Sequence, residues 1–368
     1  MDNNMESTTN FLNWVEIKNF KSIKDLRLDC KRVNVFIGKP NVGKSNILEA
    51  LGLLGAEYSI GSFLNGFVRY EDLKHIFYDN DATQLIQIIT DNEAALLLRL
   101  NSLDESGVKY NYFRAESNRL QSIIRQFAFE LTDDLHMTAL HKFTLKQNGE
   151  FISKTNNVAP FQNLSNIKKY DFDNLTKFEN LFSSFLLPPQ GPNLYEVVRR
   201  NKDLWSEFAQ LFTEQQLELV LFDAKQEFIL QKKEGPYVTQ YPFFSIADTF
   251  RRFMFYITAI ESNKDSVIVL EEPEVHSFPP YTQELAYRMI YSTENQFFIS
   301  THSPYLLHTF IENFEEDQLN VFVTYYENYE TKVHALTTED LRHILDFSTD
   351  VFFNLDKFIP NAGRSVSA

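Results

Sequence analysis

The sequence predicts an α/β fold built on a mixed central sheet, and three observations lead there. The apolar run VNVFI (33–37) ends on a glycine-rich turn and is followed by a helix-patterned stretch. A second such run, SVIVL (266–270), ends in the acidic loop EEPEVHSFPP. A third, NQFFIS (295–300), ends in THSP. Strands apolar at every position belong inside a sheet covered on both faces, and their carboxyl ends open at the ligand crevice of such folds.

The 368 residues suffice for one large or two ordinary domains. Asp+Glu number 50 against 35 Lys+Arg, a net charge of −15, which argues against general adhesion to nucleic acid or anionic membrane. The single Cys30 excludes a disulfide framework and a Cys-rich zinc site, and this usage fits a reducing cytoplasm. The first ten residues are polar with no leader pattern, and no run of about 18 apolar residues predicts a membrane helix. A cytoplasmic location is expected. The 35 Phe and 17 Tyr fill a core, with some available for a protein interface.

Taken in order, short strands are predicted at 14–18, 26–28 and 33–37. A helix follows the glycine turn, with Ile47, Leu48, Leu51 and Leu54 in helical spacing. Strand-like runs recur at 85–89, 95–100, 109–114 and 141–146, around a helix near 118–128. Between 155 and 240 the pattern predicts helices over 175–186 and 193–212, split by the breaker PPQGP (188–192), then a strand over 218–224 and a hairpin turning at 234–236. A helix over 245–263 opens on Ser245-Ile246-Ala247-Asp248, which resembles a capping box, and carries Phe250, Phe253, Met254 and Ile257 on its apolar face. The strand at 266–270, a helix over 281–291, the strand at 295–300, a short helix and a hairpin at 319–336 follow, then an aromatic tail with Phe347, Phe352, Phe353 and Phe358.

Gly38-Lys39-Pro40-Asn41-Val42-Gly43-Lys44-Ser45 matches G-x-x-x-x-G-K-[ST] in full, between a strand and a helix. Backbone N–H groups of such a loop surround phosphate oxygens at a helix N-terminus. Lys44 then faces the β/γ-phosphates and Ser45 offers a hydroxyl to Mg2+. Glu271 and Glu272 stand at the end of a buried strand: one carboxylate there can hold Mg2+ and the other orient or deprotonate water, and we assign Glu271 to the metal and Glu272 to the water. The same acids also suit a helix start, where they answer the dipole; the phosphate loop elsewhere in the chain favours the chemical role. His302 follows a buried strand directly and can touch the γ-phosphate or the attacking water; a lone histidine is more often structural, and the order of glycine loop, EEPE and THSP is what raises this one.

Together NFKSI (19–23), GKPNVGKSN (38–46), VIVLEEPEVHSFPP (267–280) and FFISTHSPYLL (297–307) resemble the ABC-type P-loop ATPase heads of the RecF, SMC and OLD group. More narrowly, they resemble the compact bacterial AAA-type ATP-binding proteins of that group, including the ATPase subunit of two-gene anti-phage modules such as PARIS. The resemblance is close over 11–56 and 240–345 and loose between them, although PNLYEVVRRN (192–201) is similar to a recurring segment. It implies an ATPase using ATP and Mg2+, with two heads sandwiching nucleotide. Gly38 to Asn46 hold the nucleotide, Lys21 approaches the phosphates, and Ser245 and Asp248 lie where the group's signature caps the opposite subunit's γ-phosphate. Lys44, Ser45, Glu271, Glu272 and His302 take the Walker A, Walker B and switch-histidine positions.

Two departures stand out: the signature lacks its glycines, and Glu271 replaces the commoner Asp. The loop also resembles that of small GTPases, but NKDL (201–204) and NKDS (263–266) place Asp one position early for a guanine-reading motif, which favours ATP. The expected layout is an ATPase lobe at 1–115, an α+β insertion at 116–240, a second ATPase lobe at 241–345 and a tail at 346–368.

About 65 residues follow THSP, too few for an OLD-type nuclease domain. The expected partners are therefore further heads, as a homodimer or higher homo-oligomer, and a separate effector protein such as a nuclease, with no membrane. The alternatives are a RecF-like DNA-maintenance ATPase using Arg199, Arg200, Arg251 and Arg252, and an ATP-bound scaffold with little turnover.

Overall fold

A computed structural model describes residues 10–100, 107–119, 139–156, 164–181, 184–346 and 351–360. The chain opens with the hairpin β1 (Trp14–Phe20) and β2 (Ile23–Asp29), then enters β3 (Val33–Gly38), buried at every position. The phosphate loop leads into α1 (Lys44–Gly52), which tightens into a 3-10 turn over Leu53–Tyr58. β4 (Ile86–Thr90), β5 (Glu93–Leu100), β6 (Lys109–Glu116), β7 (His141–Lys146) and β8 (Phe151–Asn156) join the first hairpin in a seven-stranded antiparallel sheet of order β2-β1-β4-β5-β6-β7-β8. That sheet continues past the expected 115/116 lobe boundary.

β9 (Ile167–Tyr170) then crosses to the central sheet. The next layer contains α2 (Leu194–Arg200), α3 (Lys202–Gln210) and a small sheet of β10 (Glu218–Phe222), β11 (Glu227–Glu234) and β12 (Tyr237–Pro242). α4 (Asp248–Ser262), β13 (Val267–Glu271), α5 (Pro279–Tyr291), β14 (Gln296–Ser300) and α6 (Pro304–Asn313) follow. β15 (Leu319–Glu327), β16 (Glu330–Ala335) and α7 (Thr338–Asp346) complete the order. The central sheet runs β16-β15-β3-β14-β13-β9, and only its β15/β16 pair is antiparallel.

Strand alternation explains the apolar runs. Val33, Val35, Ile37, Ile268, Leu270, Phe297 and Ile299 enter the core shared with the helices. Phe36, Val267, Val269 and Phe298 enter the opposite core, toward α1 and the antiparallel sheet. Both faces of β3, β13 and β14 are thus dry, which places their carboxyl ends at the middle of one sheet edge.

Three local expectations are corrected. Described residues of 175–186 form no helix, and Leu186 enters one core while its neighbour Phe185 packs on the other. The 193–212 helix is two, because the Asn201 side chain accepts from the N–H groups of Asp203 and Leu204 and starts α3 afresh. The Ser245 capping box does not form: the helix starts at Asp248 behind Ala247, and the Ser245 hydroxyl donates to the Pro242 carbonyl at 2.6 Å. The helix expected near 118–128 lies mostly outside the described residues, as does Phe347. No helix among the described residues is long and apolar enough to cross a membrane.

Candidate functional site

The phosphate loop is held from both sides. Gly38 ends β3 so close to β15 that a Cβ would stand 2.3 Å from the Thr324 carbonyl oxygen. Gly43 has φ 100°, and a Cβ there would stand 2.0 Å from Thr331 Oγ1. Thr331 Oγ1 donates to the Val42 carbonyl at 2.9 Å, and Thr331 N donates to the Ser22 carbonyl at 2.8 Å. Asn46 Nδ2 donates to Ser22 Oγ at 2.6 Å. The β1–β2 turn and the last hairpin therefore set the loop before any ligand arrives. Lys39, Pro40 and Asn41 are exposed, Val42 is buried and Ser45 is half-buried in the first turn of α1.

Lys44 is 5% exposed, and its Nζ donates to the carbonyls of Gly38 at 2.9 Å and Lys39 at 3.0 Å. Burial pushes its pKa down, opposed by the charges of Glu272 and Glu271. A triphosphate offers this ammonium stronger acceptors than two peptide carbonyls.

Two strands away, Glu271 ends β13 with Oε1 3.3 Å from Arg69 Nη2 and Oε2 3.7 Å from Lys169 Nζ. Glu272 turns at φ 44°, a strained conformation for a side-chain-bearing residue, of the kind that clusters at active sites. Its N–H is held by the Ser300 carbonyl at 3.0 Å. Glu272 Oε1 lies 3.4 Å from His302 Nε2. Burial first, then the nearby Lys44 charge, lowers the His302 pKa against the pull of Glu272, so the imidazole is neutral at pH 7. Lys44, Glu272 and His302 thus share one electrostatic neighbourhood.

Glu274, visible in EEPE but without a role there, is the support beneath the histidine. Its Oε1 accepts from Thr301 Oγ1 at 2.6 Å and from His302 N at 2.9 Å. Burial raises its pKa, and these hydrogen bonds oppose the rise.

Other expected residues have partners of their own. Lys21 Nζ binds the Glu49 carboxylate and donates to the Arg69 carbonyl at 2.8 Å. Glu49 also accepts from Arg69 Nε at 2.7 Å, so Lys21, Glu49, Arg69 and Glu271 form one chain of charges. Lys39 pairs with Asp356. Ser245 is exposed, and Asp248 binds Arg252 at 2.7 Å and Arg251 at 3.3 Å. Among the described residues, neither Ser245 nor Asp248 is hydrogen-bonded or ion-paired to this chain's own phosphate loop. Their helix is tied to the acidic loop instead, where Thr249 Oγ1 donates to the His276 carbonyl at 2.6 Å. Among the described residues no three His, Cys, Asp or Glu side chains group to hold a metal by themselves. Ser45 and Glu271 supply hard oxygens of the type Mg2+ takes, and phosphate and water complete such sites.

A glycine loop joining a central parallel strand to a helix, with carboxylates and an imidazole at the next two strand ends, defines an ABC-type P-loop ATPase head. The chain belongs to the AAA ATPase domain family, whose model matches residues 11–237. It is 26% identical over 297 residues to a Helicobacter pylori protein named ATP/GTP phosphatase, spanning 71% of this chain and 75% of that one. Among solved structures, an SMC head bound to the C-winged helix domain of ScpA aligns at TM-score 0.48 and 13% identity, covering 91% of this chain and 100% of the other. The SMC head domain from Thermotoga maritima aligns at TM-score 0.40 and 12% identity, covering 89% and 99%.

Proposed function

We propose that the crevice between Lys44, Glu272 and His302 binds ATP with Mg2+ and hydrolyses it, and that nucleotide-dependent pairing of two heads controls a separate protein. The convergence of these three side chains at one sheet edge carries the reading. The loop amides and Lys44 would hold the phosphates, with Asn46 at the end of the cradle. Ser45 and Glu271 would hold the metal, which supplies charge neutralisation between the β- and γ-phosphates when bound. Glu272 would accept the proton of the attacking water, and neutral His302 would hydrogen-bond the water or γ-phosphate. Ser245 and Asp248, neither bonded to its own loop among the described residues, would act on the nucleotide of a second head.

Control of a protein partner, rather than grip on DNA, fits the net charge of −15. It also fits the arginines of the DNA alternative, each of which has an acidic partner: Arg199 with Asp223, Arg200 with Glu196, and Arg251 and Arg252 with Asp248. Control of a separate effector in anti-phage defence follows from the family resemblance alone. The test is phosphate release and mass measurement with MgATP, and with MgGTP in parallel because of the relative's name. Lys44→Ala should lose nucleotide binding. Glu272→Gln should bind, hydrolyse slowly and accumulate paired heads. Wild-type hydrolysis by Glu272→Gln would remove Glu272 from the base role, and steeply salt-dependent DNA binding would favour the DNA reading.

A further inference from the structure

The segment Val351–Pro360 reaches the nucleotide crevice, touching Lys39 and His302. Val351 and Leu355 are 1% and 4% exposed in the core of the central sheet, and Phe352, Phe358 and Ile359 pack on that core. From this anchorage the segment reaches two residues of the site. Asp356 accepts from Lys39 Nζ on both carboxylate oxygens, at 2.7 and 2.9 Å. The Phe352 ring stands 6.3 Å from the His302 imidazole, tilted by 36°. Between the segment and the end of β15 is a pocket of about 520 Å³ whose lining includes Lys39, Val42, Asp356 and Leu355.

We propose that this C-terminal strap is an autoinhibitory contact: Asp356 holds Lys39 in an ion pair that a bound triphosphate must break, so nucleotide and strap compete for the phosphate loop. The inference rests on the reading of Gly38–Ser45 as a triphosphate site.

Two features make the pair a switch and not a staple. Lys39 and Asp356 side chains are 57% and 67% exposed, and exposed pairs of this kind contribute little to the fold. The carboxylate is also the wrong charge to stand beside a polyphosphate. When phosphate oxygens arrive, Lys39 gains a more highly charged partner and Asp356 is repelled. The apolar anchors at Val351 and Leu355 let the strap remain attached while its charged tip moves.

The test is MgATP titration of the full chain, wild type against Asp356→Asn. Asp356 is on the surface, its side chain 67% exposed, so this substitution preserves the fold. Removing one negative charge near the phosphates should tighten the dissociation constant about threefold to tenfold. The gain should shrink at high salt, where exposed charges are screened. Hydrogen exchange of residues 351–360 in wild type should quicken when MgATP is added, and should not respond in Lys44→Ala. An Asp356→Asn affinity equal to wild type overturns the strap, whatever the exchange shows. A wild type that binds no MgATP removes the triphosphate site itself and the competition with it.

Discussion

Glu49→Ala tests the charge chain behind the phosphate loop. The Glu49 side chain is 1% exposed and its two oxygens serve Lys21, 15% exposed, and Arg69, 70% exposed. Breaking a buried pair by removing one partner costs about 3–5 kcal/mol, because the other charge stays behind without compensation. The Arg69 half, being solvated, adds at most about 1 kcal/mol. Nearly all the loss therefore belongs to Lys21. At roughly 2 °C per kcal/mol for a chain of this size, the melting temperature should fall by roughly 6–10 °C.

The pH dependence has a definite sign. Burial pushes the Lys21 pKa down, and Glu49 is the chief opposing influence. Without Glu49 the folded pKa drops further, so the unfolded chain binds a proton that the folded chain rejects. Stability of the variant then rises with pH up to the unfolded lysine value of about 10.4. Melting curves at about pH 7 and about pH 9.5 should show the deficit narrowing. A variant melting within about 2 °C of wild type, or a deficit that widens with pH, would refute the reasoning.

Further outcomes follow from other contacts. Gly43→Ala meets both a positive φ, costing about 1–3 kcal/mol, and the Thr331 hydroxyl, and should lose ATP binding in titration. Adding Thr331→Ala removes the closest contact but neither the Ser22 hydroxyl at 2.9 Å nor the φ, so full recovery of affinity would contradict the conformational argument. Glu274→Ala strands the Thr301 hydroxyl and the His302 N–H, costing about 1–3 kcal/mol by urea unfolding. Glu274→Gln keeps an acceptor and should cost less. Because the folded Glu274 carboxyl holds its proton above the ordinary range, its contribution declines as pH rises through that raised value, a decline absent in the Gln variant. With its pKa below the ordinary 6.5, His302 should place any acid limb of the hydrolysis rate below that pH; a limb that persists in His302→Asn belongs to another group.

The helix boundaries show where pattern reading stops. Apolar spacing over 175–186 reads as a helix because spacing records which residues are apolar, not which core each one enters. Phe185 and Leu186 enter different cores, and that division exists only once two sheets are stacked. Ser245 has the chemistry of a cap, yet the Pro242 carbonyl, supplied by the preceding strand β12, takes its hydroxyl. The third such case is Lys21. The resemblance puts it near the phosphates, and packing adds a partner that no pattern shows, Glu49 one turn into α1.

Local patterning alone carried the phosphate loop, the three dry strands and the acidic and histidine turns after them. A glycine turn between strand and helix is written in consecutive residues, and a strand buried on both faces must be apolar throughout. Packing alone decided the partners of those residues. Arg69 meets Glu271 across 202 positions and Lys39 meets Asp356 across 317. Such pairs leave no periodic trace, since a charged side chain has the same local chemistry whether water or a distant carboxylate faces it. Only the stacking of β3, β14 and β13 brought Lys44, Glu272 and His302 to a common edge.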